Sequence, residues 1–214
     1  IIADWREQLD FTTKIFRARG LHLDDRHLRL DGQSFSASIT DMTLYVVNNY
    51  KALQDDGSSI VLYLPKIQTA EEAGFWNRLL SALESYLGLG EGTIKVYVLV
   101  EQLEATFQLM EIRAALGLHF VGFNTGRWDY INSVSDANCW DPDFINPNIE
   151  SIVMTYGYMR NYEDRVRRAV NTADANGNFA LWQGGMEPNI PVGSKQGVAN
   201  SMKKAKAGAV REQQ

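Results

Sequence analysis

The run Ile60-Val61-Leu62-Tyr63-Leu64-Pro65 and, a helix later, Thr93-Ile94-Lys95-Val96-Tyr97-Val98-Leu99-Val100-Glu101 decide the fold class. The first run is apolar nearly throughout, as a strand buried on both faces must be. Thr69 and Glu72 then stand at capping-box spacing. They open a helix in which Phe75, Leu79, Leu83 and Leu87 recur at helical period and which Gly88 and Gly90 stop. The second run repeats the character of the first. Strand, capped helix and strand together make one parallel crossover unit.

The same rhythm continues on both sides. A helix is expected from about Ala105 to Leu118, then a strand at Phe120-Val121-Gly122-Phe123-Asn124 and a weaker one at Ser151-Ile152-Val153-Met154-Thr155. Asn161 and Asp164 suggest a capped helix that buries Val166 and Val170 and ends near Gly177, before a last strand at Phe179-Ala180-Leu181-Trp182. Upstream, Lys14-Ile15-Phe16-Arg17 reads as a strand leading into a polar loop, and Asp41 to Leu53 as a helix. The Lys- and Ala-rich tail from Lys195 to Arg211 reads as a solvated helix or a frayed end. A doubly wound sheet and a TIM (β/α)8 barrel both fit this α/β alternation. About six strands are visible where a complete barrel has eight in ~250 residues, so a barrel here is incomplete. Residues 1–192 would form its partial catalytic domain and residues 193–214 a tail leading towards an eighth strand.

The 214 residues are 45% hydrophobic, enough for one packed core, and no apolar run reaches the length of a membrane span. A net charge of -5 argues against a nucleic-acid or anionic-membrane binder, which needs a basic face. The single cysteine, Cys139, has no internal partner, pointing to a reducing compartment. The first residues, Ile1-Ile2-Ala3-Asp4-Trp5, show neither an initiator Met nor a signal-peptide pattern, and no Ser-Lys-Leu address closes the chain. It reads as a processed or truncated piece.

In parallel α/β folds the chemistry gathers just beyond the C-terminal ends of strands. Three expected strands end on a candidate: the first at Arg17, the one from Thr93 at Glu101, and the one from Phe120 through Thr125-Gly126-Arg127-Trp128 at Asp129. Glu101 and Asp129 lie one strand–helix unit apart, so neighbouring strands would bring both carboxylates to one rim. Two carboxylates suit Mg²⁺, which keeps several waters and takes its remaining oxygens from a substrate. By spacing alone, helix capping or ion pairing is the commoner role of such residues.

The run His119-Phe120-Val121-Gly122-Phe123-Asn124-Thr125-Gly126-Arg127-Trp128-Asp129-Tyr130-Ile131 resembles the signature of the malate synthase family. It departs from that pattern at Phe123, usually Leu, and at Asn132, usually Phe. Arg17-Ala18-Arg19-Gly20-Leu21-His22-Leu23, Tyr63-Leu64-Pro65-Lys66, Gly92-Thr93-Ile94-Lys95, Val100-Glu101-Gln102-Leu103-Glu104-Ala105 and Gly184-Gly185-Met186 resemble further family blocks in the same order, with Glu104 standing where Pro is usual. The likeness runs from about Phe16 to Pro191.

The resemblance implies a TIM barrel and a glyoxylate-cycle transferase, cytoplasmic or glyoxysomal, that condenses acetyl-CoA with glyoxylate to malate and CoA. It implies Mg²⁺ on Glu101 and Asp129, and glyoxylate held by Arg17, Gly126, Trp128 and Asp129. Arg17 would also steady the acetyl-CoA enolate, with Arg19 supporting its loop, and Met186 and Pro191 would edge the acetyl-CoA site. The family's catalytic base is an Asp of a C-terminal helical domain, and no segment of this sequence matches it. A CoA-ester lyase of the citrate-lyase-β or malyl-CoA lyase type, or a non-catalytic scaffold relative, are the alternatives. His22, His27 and His119 read as structural, Cys139 as no catalytic thiol, Trp76 as core and the Lys203, Lys204, Lys206 cluster as a solvated face. Gly88-x-Gly90-x-Gly92 follows a helix and precedes a strand, the reverse of a phosphate-binding loop.

Overall fold

A computed structural model describes residues 12–186 and 193–213. Its main sheet is parallel throughout, in the order β1 (Ile15–Arg17), β4 (Ile60–Leu64), β5 (Ile94–Val100), β6 (Phe120–Thr125) and β7 (Leu181–Gln183). The register sets Arg17 beside Tyr63, Leu64 beside Val98, Val100 beside Thr125 and Asn124 beside Gln183. All five strands therefore finish at one rim. The helices are α1 (Ala37–Asp55), α2 (Ala70–Leu87), α3 (Leu109–Leu116), α4 (Arg127–Ala137), α5 (Gly157–Val170) and α6 (Lys195–Gln213). Among the described residues no helix is long and apolar enough to cross a membrane.

Local chemistry explains the elements. Glu72 N–H donates to Thr69 Oγ1 at 3.3 Å while Glu72 Oε2 accepts Thr69 N–H at 3.4 Å, closing the expected capping box of α2. At the other end Gly88 takes the left-handed conformation (φ 69°) that lets its own and the next N–H turn back onto helix carbonyls. The deepest stripe of α2 is Ala73, Trp76, Leu80 and Leu83, with Phe75, Leu79 and Leu87 flanking it half-buried. The expected face was thus rotated by one residue. Trp76 belongs to the core, together with Leu62, Leu64, Val96, Val98, Phe123 and, from α5, Met159, Tyr162 and Val166.

Three expectations need correction. The polar stretch after β1 is a two-stranded antiparallel hairpin, β2 (Asp24–Leu30) and β3 (Gln33–Ser36), turned by Asp31 (φ 51°) and Gly32 (φ 80°). Residues 151–155 form no strand. A short 3-10 turn at Ile149–Ser151 buries Ile152 in the core, and β6 pairs directly with β7, so the parallel sheet holds five of the six expected strands. Gly122 makes that pairing possible: a Cβ there would lie 2.1 Å from the carbonyl oxygen of Leu181, an overlap with backbone. Finally, α5 begins at Gly157, not at an Asn161 cap, and Asp164 is paired with Arg167 and Arg168.

Candidate active site

Glu101 follows β5 directly, and its carboxyl group is wholly buried. Oε1 accepts the Lys66 backbone N–H at 2.9 Å, while Oε2 is buried and accepts no hydrogen bond among the described residues. Asp129 stands in the first turn of α4, whose N-cap is Gly126. The first amides of a helix have no carbonyl of their own to bond, so this end offers N–H groups and a positive dipole to an anion. Gly126 is needed for space: a Cβ would come within 2.9 Å of Glu101 Cβ and Leu99 Cδ1. The Val100 carbonyl accepts both the Gly126 N–H, at 3.1 Å, and the Tyr162 hydroxyl, which fixes the two strand ends to each other. Tyr162 also stacks on Tyr130, the residue after Asp129, with centroids 4.0 Å apart.

Lys66 stands between the carboxylates, its Nζ 2.6 Å from Asp129 Oδ1 and 3.9 Å from Glu101 Oε1. Its backbone is left-handed (φ 61°), a cost for a non-glycine residue that the N–H to Glu101 and the ammonium to Asp129 offset. Burial, and next the Asp129 carboxylate, push the Glu101 carboxyl up to about 7. At Asp129 burial works in the same upward direction, but Lys66, Glu101 and Arg17 outweigh it and hold that carboxyl below its ordinary range. The two acids therefore ionise well apart, Asp129 first.

One cavity of about 500 Å³ gathers Arg17, Glu101, Gly126, Trp128, Asp129 and Met186. Arg17 is exposed, its guanidinium 5.5 Å from the centre of the Tyr63 ring. Tyr63 hydroxyl donates to Asn124 Oδ1, and Asn124 Nδ2 donates to the carbonyls of Gln183 and Gly184. This chain carries the cavity wall from β4 across β6 to the Gly184-Gly185 turn, where Glu212 of α6 accepts the Gly185 N–H. Pro191 lies outside the described residues. Arg19 does not enter the cavity lining. It binds Asp41 and Asp25 at 2.6 and 2.8 Å, tying the loop after β1 to α1 and the hairpin. His119 is buried, its Nδ1 2.8 Å from the Ile94 carbonyl, a structural placement. Another groove, about 540 Å³ between α3 and α5, holds none of these groups.

Among the described residues no cluster of three or more His, Cys, Asp or Glu could cage a metal. The unbonded, buried Glu101 Oε2 beside Asp129 is a different donor set: hard oxygens in short supply. That fits a small hard cation that completes its shell with water and ligand oxygens. Sequence reasoning missed Lys66, Tyr63, Asn124 and Tyr162 as parts of this centre. The first three lie inside family-like blocks, but nothing in a sequence says which ammonium or hydroxyl reaches a carboxylate from another strand.

A parallel sheet of consecutive strands, with its charged strand-end residues on one rim, is the arrangement of part of an α/β barrel. A family model described as malate synthase, TIM barrel domain, matches residues 13–214. The chain belongs to the malate synthase family, as its barrel domain. Malate synthase A of Escherichia coli K12 is 38% identical over 193 residues, covering 90% of this chain and 35% of that protein. The bifunctional glyoxylate cycle protein of Caenorhabditis elegans is 44% identical over 184 residues, covering 86% and 18% respectively. The chain thus spans about a third or less of the length of these curated relatives. Haloferax volcanii malate synthase, in its lead(II) complex, superposes with a TM-score of 0.56 at 14% identity, over 81% of this chain and 44% of that one. A citrate lyase from Burkholderia xenovorans LB400 gives 0.50 at 16% identity, over 82% and 59%. At such identities these structures show the fold alone.

Proposed function

We propose that this chain is the barrel portion of an Mg²⁺-dependent enzyme that condenses acetyl-CoA with glyoxylate and releases malate and CoA. The observation that carries the reading is the meeting of a buried, under-bonded Glu101, Asp129, the N-terminal amides of α4 and Arg17 in one cavity. Family membership supports it, as does the Haloferax volcanii malate synthase described as a pyruvate/acetyl-CoA ternary complex.

Glu101 and Asp129 would hold the Mg²⁺, which when bound supplies Lewis acidity towards an aldehyde oxygen. The amides at Trp128 and Asp129 would receive the glyoxylate carboxylate. The Gly126 N–H is already given to the Val100 carbonyl, and the part of Gly126 is the absence of a Cβ, which keeps Glu101 against them. Arg17, with its planar fork of N–H donors, would steady negative charge on the acetyl enolate oxygen and then on the new alkoxide. Met186, at the cavity edge and 82% exposed, would meet the acetyl-CoA chain.

The test is thiol release by the full-length protein with acetyl-CoA, glyoxylate and Mg²⁺. Release that needs all three, and falls at least about 100-fold on Arg17→Met, supports the reading. Cleavage of malyl-CoA without such release would replace it by a CoA-ester lyase.

A further inference from the structure

The position of Lys66 is not explained by binding either substrate. Its ammonium bridges the site carboxylates, 2.6 Å from Asp129 and 3.9 Å from Glu101. The left-handed backbone at this residue commits main chain and side chain together to that pair. Lys66 already holds one of the two Asp129 oxygens, so a divalent cation seated on the same carboxylates would lie within a few ångströms of its ammonium, where like charges repel. A second cavity, about 440 Å³, meets the first at Asp129 and is lined by Lys66 itself together with Glu72, Glu104 and Asp136. The Lys66 side chain is 30% exposed, so it has an open path to that side.

We propose that Lys66 is the built-in counter-cation of the Glu101–Asp129 pair, and that a divalent ion enters by exchange with its ammonium, which moves into the adjoining acidic cavity. The exchange keeps a cation on the pair before and after metal entry and makes the metal's affinity the difference between two cations competing for one seat. This rests on the reading of Glu101 and Asp129 as that seat, and the test separates the two.

Mn²⁺ serves as the probe, its binding to the full-length protein followed by its paramagnetic resonance signal. Asp129→Asn is expected to abolish binding; if Mn²⁺ binds that variant as tightly as the parent, the seat is elsewhere and the exchange falls with it. Lys66→Met is expected to bind Mn²⁺ about five- to tenfold more tightly, since the competitor is gone. Equal or weaker binding, with the seat intact, overturns the exchange alone. Acylation of amines on the unmutated protein, read by peptide mass, needs no variant to fold. Mg²⁺ is expected to raise labelling of Lys66 at least about threefold with Lys203 and Lys204 unchanged as surface controls; labelling of Lys66 that Mg²⁺ leaves unchanged overturns the proposal.

Discussion

Glu101 lies wholly inside the protein, with one oxygen bonded to Lys66 N–H and the other to no described donor. A carboxyl whose folded value is raised destabilises the fold as pH climbs from its ordinary 4.5 through about 7, because the unfolded chain ionises first. Glu101→Gln keeps the acceptor for Lys66 and removes that cost. It should therefore stabilise the metal-free protein at pH 8 by about 1–3 kcal/mol in urea melts, and should lose Mn²⁺ binding. Gly126→Ala works the other way. Its Cβ overlaps Glu101 and Leu99, so about 1–3 kcal/mol of overpacking falls on the carboxylate itself. Mn²⁺ titration should show at least about tenfold weaker binding. Glu101, Asp129 and Gly126 could be singled out from sequence because strand ends and a family-like run marked them. Lys66 could not, since a lysine directly after an expected strand reads the same whether it faces water or a carboxylate.

At the level of single elements, legibility followed periodicity. The units β4–α2–β5 and β6 were readable because continuous apolar strands and a capping box leave few alternatives. Trp76 carries much of that core, and Trp76→Ala should cost about 3–5 kcal/mol by urea denaturation. The β2–β3 hairpin was missed because its strands are mostly exposed and polar, although Asp31-Gly32 is a turn signal that was there to be used. Residues 151–155 misled for the opposite reason: an apolar run was taken for a strand when only Ile152 is fully buried, with Met154 packing against the core from its edge. The hairpin is fastened by Arg19. Hydrogen bonds from Arg19 hold Asp41 below its ordinary value, and those from Leu28 N–H, Arg19 and His27 N–H do the same for Asp25. Depressed carboxyls contribute stability that is whole above 3.8 and is lost as pH falls through the folded values. Asp41→Asn should accordingly flatten the acid limb of a pH–stability curve below about pH 4 and leave the neutral limb's slope unchanged.

Across the molecule, apolar periodicity left a doubly wound order and a barrel order both open. It was the family-like motifs that implied the barrel, whose consecutive strands pair as they do here. β5 sits in the middle, paired on both sides and carrying Glu101 at its end, while β7 has three residues and, among those described, one neighbour. Hydrogen exchange should rank them accordingly, with β5 amides opening only on global unfolding and β7 amides exchanging at least about tenfold faster. The contact between β6 and β7 rests on a single hydrogen atom, the one Gly122 has in place of a side chain, against the Leu181 carbonyl. Any coding change of a glycine codon adds at least a methyl group. Position 122 is therefore closed to one-step mutation in a way the carboxylates are not. A lineage could lose its chemistry at Glu101 and keep the barrel wall, whereas a lineage that lost Gly122 would lose the wall on which Gln183, Gly184 and the cavity edge are mounted.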